Sequence, residues 1–258
     1  MTRIGRSFQS LRSEGKKAFV AFVTAGDPSL DRTVDVALEL EAGGVDVLEL
    51  GVPFSDPLAD GPVIQRASER ALRRGATLGS VLGAVRKIRA RSEVPLLLFS
   101  YLNPLLQYGL PRAAAEARDA GVDGVLVTDL PPEEADAWLE TARHAGIDTV
   151  FLAAPTSPDE RLLRVSRASR GFVYAVSRTG ITGERESLSA DARPLVERLA
   201  ALSAEPVALG FGISTPEQVA AAAALADGVV VGSALVRFLE DQPDGDVAGQ
   251  VRWLKSVM

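Results

Sequence analysis

Residues 45–62 read VDVLELGVPFSDPLADGP, an apolar run that passes directly into a loop of turn-forming residues. The first part has the composition of a strand, in which successive side chains point to opposite faces. On this alternation Val45, Val47 and Glu49 share one face, and the leucines between them share the other. A run this apolar is typical of a parallel sheet that helices cover on both sides. Glu49 would then lie among apolar side chains at the end of a strand.

Glu49 is the first candidate for a functional group. An unpaired carboxylate among apolar side chains is costly, so its pKa should rise or a ligand should meet it. The alternative is a glutamate that merely reaches solvent from the end of its strand. The loop that follows contributes Asp56 and Asp60. For Asp56, which precedes a proline, an Asx turn is the favoured interpretation.

The composition narrows the classes of protein. The chain has 258 residues and is 47% hydrophobic, which suits one α/β barrel of ordinary size or two small domains. A net charge of −6, with scattered Lys and Arg residues, argues against a nucleic-acid backbone as partner. The chain has no cysteine, which excludes disulfides and thiolate zinc sites. No apolar run reaches the length of about 20 residues that spans a bilayer, and we expect a soluble, cytoplasmic protein.

The single histidine, His144, lies near the predicted end of a helix, just before Gly146. A cation there complements the helix dipole, so a role as a surface end-cap is favoured. Acid–base chemistry in this chain must therefore rest mainly on carboxylates, tyrosines or lysines.

Outward from residues 45–62, apolar strands alternate with helices along the whole chain. We predict eight strands, at residues 18–26, 44–50, 95–103, 123–130, 148–154, 171–177, 206–212 and 227–233. Each is followed by a helix, and further helices are predicted at residues 3–14 and at the C-terminus. Eight such units in this length favour a single (β/α)₈ TIM barrel domain over residues 1–258, with an extra helix at each end.

Two glycine-containing loops follow the last two strands, GFGIS at 210–214 and VGSA at 231–234. Backbone amides exposed by glycine at a helix N-terminus bind phosphate well, and these two loops are the usual phosphate site of the fold. The alternative is that the glycines serve only tight turns. Neither loop has the G-x-G-x-x-G pattern, so a dinucleotide is not expected.

The loop at residues 177–190 is long and charged, which is typical of a lid or of a disordered excursion. Large side chains also fall near several strand ends, and each of them could equally pack in the core. They are Phe22, Phe99, Tyr101, Leu126 and Tyr174.

Taken together, these segments resemble the tryptophan synthase α chain family. LELGVPFSDPLADGPVIQ is similar to the family's signature segment. The similarity covers essentially the whole chain through AFVTAGDP, YLNP, VTDLP, SRTGITG and GFGIS. Leu102 and Thr128 depart from the residues common in the family, which affects the expected fit of the substrate pocket and leaves the chemistry unchanged.

The resemblance implies a lyase that cleaves indole-3-glycerol phosphate into indole and glyceraldehyde 3-phosphate by a retro-aldol reaction. It implies no Schiff base, metal or cofactor in this chain. Glu49 would protonate C3 of the indole ring and Asp60 would stabilise positive charge at the ring nitrogen, and either could take the glycerol hydroxyl proton. Substrate contacts are expected from Phe22, Phe99, Tyr101, Leu126, Tyr174, Thr182 and Phe211. Phosphate contacts are expected from Gly183, Gly212, Gly232 and Ser233. Thr182 would lie in a lid that closes toward Asp60.

The resemblance also implies a partner, a pyridoxal-phosphate-dependent β chain that joins indole to serine within an α2β2 heterotetramer. The docking surface would be the mouth of the barrel, through Pro53, Phe54, Pro57, Asp129 and Pro131, although Pro53 and Phe54 could equally pack inward. The alternatives are a stand-alone lyase, another phosphosugar-barrel isomerase, and a regulatory subunit without catalysis.

Overall fold

The computed structural model describes residues 2–177, 189–210 and 212–258, which form a nearly closed barrel of parallel strands. The described residues contain nine strands: β1 Ala18–Thr24, β2 Val47–Gly51, β3 Leu96–Ser100, β4 Gly124–Val127, β5 Asp148–Val150, β6 Leu152–Ala153, β7 Val173–Val176, β8 Val207–Gly210 and β9 Gly228–Val231. Their order in the sheet is β5-β4-β3-β2-β1-β9-β8-β7-β6. The strands at the two ends of this order are joined in the chain, so the chain itself closes the ring. The prediction of a TIM barrel is confirmed.

The predicted fifth strand, residues 148–154, is divided into β5 and β6 at Phe151. The interruption is local, because the Phe151 carbonyl still accepts a hydrogen bond from the Tyr174 amide at 3.1 Å. Counted as one strand, the two halves give the eight-stranded barrel that the sequence predicts.

Helices cover the outside of the barrel. In the described residues they are α1 Arg3–Ser13, α2 Leu30–Ala42, α3 Pro62–Arg73, α4 Leu78–Arg89, α5 Leu102–Tyr108, α6 Leu110–Ala120, α7 Asp136–Ala145, α8 Asp159–Ala168, α9 Ala192–Leu202, α10 Pro216–Ala223, α11 Ser233–Asp241 and α12 Val247–Leu254. Side-chain caps set several of the starts. Ser29 caps α2, and Thr77 and Thr215 form capping boxes at α4 and α10.

Helix α5 was not predicted, because the third strand was expected to continue to residue 103. The strand ends instead at Ser100, and the Leu102 amide donates a 2.7 Å hydrogen bond to Asp129 Oδ1. This carboxylate belongs to the loop after β4, so the cap comes from a distant part of the chain. The local sequence therefore carried no signal for the start of α5.

The strands separate two apolar layers. The outer layer packs strands against helices, and the inner layer fills the barrel with side chains such as Phe22, Val47 and Leu97. Val45 was expected to share a face with Val47 and Glu49 but packs in the outer layer. The physical reason is that β2 begins only at Val47, so the alternation does not extend back to Val45.

Helix α1 covers the N-terminal end of the barrel. Its Ile4 and Phe8 are buried in the inner layer, and the Phe8 ring lies 5.4 Å from that of Phe172. With this end covered, the inner layer is accessible only near the C-terminal ends of the strands, where the loops of a TIM barrel carry the chemistry.

Two predictions from local pattern concern the surface. His144 is exposed in the last turn of α7, and Gly146 ends that helix in the left-handed conformation, so the end-cap interpretation is confirmed. Among the described residues, no helix has both the length and the apolar character needed to cross a membrane.

Candidate active site

Glu49 is buried inside the barrel. It lies in β2 between Phe22 of β1 and Leu97 of β3 in the register of the sheet, and its side chain is fully shielded from solvent. Neither carboxyl oxygen has a hydrogen-bond partner in the described part of the chain. Burial without a compensating charge raises the pKa of Glu49 to about 8. The alternative of a glutamate that reaches solvent is therefore wrong.

Asp60 lies in the loop after β2 and is also buried, at 4% exposure. Its Oδ2 accepts a 3.1 Å hydrogen bond from the Tyr101 hydroxyl, which in turn accepts one from the Ala59 amide at 3.0 Å. Its Oδ1 has no partner in the described residues. Burial raises the pKa of Asp60 to about 6, and the bond from Tyr101 opposes that rise.

The two carboxyl groups lie close to a common neighbour, Tyr174 of β7. Burial raises the pKa of Tyr174 well above its usual value, and the negative charges of Glu49 and Asp60 raise it further. A phenol in this environment stays protonated throughout the physiological range. Tyr174 therefore contributes a neutral wall to the site.

A pocket opens beside Glu49. Its walls are mostly apolar, and they consist of Phe22, Glu49, Ile64, Phe99, Tyr174, Gly212, Ile213, Val230, Gly232 and Ser233. The Phe22 and Phe99 rings meet edge to face with their centroids 5.2 Å apart. A planar aromatic ligand would meet ring faces and edges in this pocket, with a carboxyl group beside it.

Two glycines make room for the aromatic walls. A Cβ atom on Gly51 would lie 2.6 Å from the Phe22 ring, and one on Gly210 would lie 2.5 Å from the Tyr174 hydroxyl. Any larger residue at either position would displace the ring and change the shape of the pocket.

The loops after β8 and β9 form another part of the pocket wall. Gly212 has a positive φ of 83°, and Gly232 precedes the first residue of α11, Ser233. In the described structure the N-terminus of α11 has no side-chain cap, whereas Thr215 and Gln218 cap α10. The first amides of α11 thus remain available to an anion, and the helix dipole favours one there.

Comparison with known proteins identifies the family of this chain. The chain matches the family described as tryptophan synthase alpha chain over residues 8–256. The tryptophan synthase alpha chain of Solibacter usitatus is 57% identical over 244 residues, which cover 95% of this chain and 91% of that one. That of Geobacter sulfurreducens is 51% identical over 240 residues, covering 93% and 91%.

Solved structures give the same result. Mycobacterium tuberculosis tryptophan synthase superposes with a TM-score of 0.93 at 39% identity, covering 99% of this chain and 98% of that one. Tryptophan synthase subunit alpha from Legionella pneumophila superposes with a TM-score of 0.90 at 37% identity, covering 100% and 97%.

The chain belongs to the tryptophan synthase alpha chain family. It is a lyase that cleaves indole-3-glycerol phosphate. This membership sets aside the isomerase and the non-catalytic subunit.

The structure brings together most of the residues that the resemblance to the tryptophan synthase alpha chain family singled out. Those that line the pocket are Phe22, Glu49, Phe99, Tyr174, Gly212, Gly232 and Ser233. Asp60 and Tyr101 are not among the described residues of the pocket wall, and the Tyr101 hydroxyl donates a hydrogen bond to Asp60 Oδ2. Leu126 is fully buried in the inner layer and is not part of the pocket wall. Thr182, Gly183 and Phe211 lie outside the described residues.

Three pocket residues were not anticipated: Ile64, Ile213 and Val230. Ile64 lies in the first turn of α3, after the loop at residues 52–61 (the signature loop). Ile213 lies within the segment GFGIS. Alternation along β9 places Val230 on the inner face. The sequence pattern at each position was consistent with a place in the pocket, but equally with packing in the core.

Of the two departures from the tryptophan synthase family, Leu102 packs against the outer layer and Thr128 Oγ1 donates to the Ser100 carbonyl at 3.2 Å.

The predicted partner-binding residues of the tryptophan synthase alpha chain differ in exposure. Asp129 is exposed, while Phe54, Pro57 and Pro131 are half-buried, and the Phe54 ring packs 5.0 Å from that of Tyr101. Pro53 is buried, so it does not contribute to the surface of this chain.

Proposed function

We propose that Glu49 and Asp60 together cleave indole-3-glycerol phosphate in the pocket at the mouth of the barrel. One observation carries the proposal: two buried carboxyl groups that share Tyr174 as a neighbour hold oxygen atoms that no described residue satisfies. Buried polar atoms normally have partners, so unsatisfied ones at a pocket indicate groups that a ligand completes.

Glu49 is the general acid in this proposal. Breaking the bond between the indole ring and the glycerol chain requires C3 of the ring to be protonated first, since the ring then leaves as neutral indole. A carboxyl group with a pKa of about 8 still holds its proton at neutral pH. Its apolar surroundings at Phe22 and Phe99 keep it neutral until it reacts.

Asp60 has the complementary role. With a pKa of about 6 it is mainly ionised at neutral pH, so it can accept a hydrogen bond from the ring N–H. Protonation at C3 places positive charge on that nitrogen, and a fixed carboxylate nearby stabilises the charge as it develops. The hydrogen bond from Tyr101 positions the carboxylate and leaves Oδ1 for the ligand.

The reaction is balanced within the site. C3 gains a proton, the carbon–carbon bond breaks, and the hydroxyl on the adjacent carbon loses its proton as it becomes the aldehyde. Either carboxylate can take that proton. Proton transfer and charge stabilisation suffice for these steps, so the proposal assigns no metal or cofactor to this chain.

The remaining assignments follow the shape of the substrate. The indole ring fits the walls at Phe22, Phe99 and Tyr174, and the phosphate fits Gly212, Gly232 and Ser233 at the uncapped start of α11. We retain Thr182, Gly183 and Phe211 as further contacts, and Leu126 as a residue beneath the ring.

We further propose a cytoplasmic α2β2 heterotetramer in which a pyridoxal-phosphate-dependent β chain receives the indole. Indole is small, apolar and uncharged, so direct transfer would prevent its loss. The surface around the signature loop supports this, because Leu58 is 86% exposed beside the half-buried Phe54 and Pro57. Exposed apolar residues on a rigid loop are suited to a protein partner.

The test is indole release from indole-3-glycerol phosphate by the purified chain and by Glu49→Gln. The amide keeps the volume of the side chain but cannot supply the proton, so we expect a loss of about 10²–10⁴-fold in kcat with ligand binding retained. Glu69→Gln is the matched control, because Glu69 is an exposed residue of α3, and it should react at the parent rate. Turnover by Glu49→Gln within about tenfold of the parent would refute the assignment.

A further inference from the structure

A third side chain resembles those of Glu49 and Asp60, because it is buried and has an oxygen atom without a hydrogen-bond partner in the described residues. Thr24, the last residue of β1, is only 4% exposed, and its Oγ1 has no hydrogen-bond partner in the described part of the chain. Among the described residues, buried side-chain oxygens without partners occur only on Thr24, Glu49 and Asp60. Two of the three belong to the active site, which suggests that the third does as well.

Alternation along β1 places Thr24 on the inner face. Phe22 lines the pocket and Val23 packs in the outer layer, so Thr24 faces inward one step further toward the mouth. Its register partner on β2 is Gly51, over which the Phe22 ring lies, and Thr24 itself is not among the described residues of the pocket wall. The hydroxyl therefore lies on the inner face, one step beyond the pocket-lining Phe22 in the direction of the barrel mouth.

The order of the strands identifies the part of the substrate that Thr24 would meet. In the sheet, β1 lies between β2, which carries Glu49, and β9, whose loop carries Gly232 and Ser233. A substrate with its ring beside Glu49 and its phosphate at Ser233 must pass its glycerol chain across the end of β1. That chain has two hydroxyl groups, which need polar partners once the site excludes water.

We propose that the Thr24 hydroxyl binds a hydroxyl group of the substrate's glycerol chain and makes Thr24 a specificity-determining residue. This inference rests on the proposed placement of ring and phosphate. A threonine hydroxyl can donate one hydrogen bond and accept others, so it suits an alcohol. Leaving such a group unpaired in the empty site costs stability, and the substrate removes that cost when it binds.

The experiment pairs a change in the protein with a change in the ligand. Thr24→Val keeps the shape of the side chain and removes the hydroxyl, while Thr24→Ser keeps the hydroxyl. The two ligands are indole-3-glycerol phosphate and 3-(indol-3-yl)propyl phosphate, which has the same ring, carbon chain and phosphate but no chain hydroxyls. Binding is measured by calorimetry in a Glu49→Gln background so that the substrate stays intact.

We expect Thr24→Val to weaken binding of indole-3-glycerol phosphate by about tenfold and to change binding of the propyl phosphate by less than about twofold. Thr24→Ser should bind both ligands like its parent. Ligand-free Thr24→Val should unfold at the same temperature or higher, since the valine removes a buried unpaired hydroxyl.

Equal losses for both ligands, or no loss for either, would overturn the proposal. So would a lower unfolding temperature of ligand-free Thr24→Val, because the hydroxyl would then have a structural partner. Failure of the proposed function is a separate result, since it would show as absent indole release by the unmodified chain.

Discussion

At the scale of single residues, the site separates two carboxyl groups by their surroundings. Neither carboxyl oxygen of Glu49 has a hydrogen-bond partner in the described residues, whereas Asp60 has the Tyr101 hydroxyl on one oxygen. Burial raises the pKa of both, to about 8 and about 6 respectively. Neutral pH lies between these values, so one group is an acid and the other a carboxylate under the same conditions.

This difference predicts a bell-shaped dependence of kcat/KM on pH. Asp60 must be ionised, so activity should fall as pH decreases through about 6, and Glu49 must be protonated, so activity should fall as pH increases through about 8. Indole release measured across this range tests both limbs. In Glu49→Gln the residual activity should lack the alkaline limb. A parent profile that stays flat beyond either value would contradict the corresponding assignment.

At the scale of secondary structure, two helices hold the site in place. Helix α3 begins directly after the loop of Asp60, and α11 begins at Ser233. Arg70 of α3 links the two helices by donating to Glu240 of α11 at 2.6 Å. It also donates to both oxygens of Asp27, in the loop after β1, at 2.9 and 2.6 Å. The hydrogen bonds from Arg66 and Arg70 lower the pKa of Glu240 to about 2, against the effect of burial.

We expect Arg70→Ala to lower the free energy of unfolding by about 2 kcal/mol, because it leaves the largely buried Asp27 without its bidentate partner. Urea unfolding measures the change. Arg73→Ala is the matched control in the same helix, since Arg73 pairs with Glu69 at the surface, and its loss should stay within about 0.5 kcal/mol. Similar losses in the two variants would show that α3 and α11 do not depend on this ion-pair network.

At the scale of the whole molecule, the barrel has one covered end and one functional end. Helix α1 packs Ile4 and Phe8 into the N-terminal end, and the site opens at the other. The signature loop lies at this open end and carries both Asp60 and the exposed Leu58. A partner that docks there would lie beside the pocket and could receive indole as it forms.

The expected effect of Leu58→Asp follows from this arrangement. A charge in an apolar docking surface should raise the dissociation constant of the complex with the cognate β chain by more than about tenfold. Val257→Asp is the control, because Val257 is also an exposed apolar residue but lies near the C-terminus. Both variants should unfold like the parent. An unchanged dissociation constant for Leu58→Asp would exclude this loop from the interface, and a parent chain that forms no complex would favour the stand-alone lyase.

The sequence by itself determined the barrel and the position of its chemistry. Strand runs, helix faces and turn residues are local patterns, since hydrophobic periodicity is set by neighbouring residues along the chain. They predicted eight strands, and alternation placed Glu49 on the same face as Val47, among apolar side chains. The resemblance in residues 45–62 and in the glycine loops then supplied the residues to which a reaction could be assigned.

The tertiary structure determined which residues from distant parts of the chain come into contact. Closing the barrel brought Tyr101 to Asp60 and the Asp129 carboxylate to the first amide of α5. It also buried Pro53, for which the sequence had left both a surface and an inward position open. It also left the Thr24 hydroxyl without a partner at a strand end that looked like any other apolar run. These outcomes depend on contacts between residues far apart in the chain. Such contacts leave no periodic trace in the sequence, because they are set by the register and closure of the sheet as a whole.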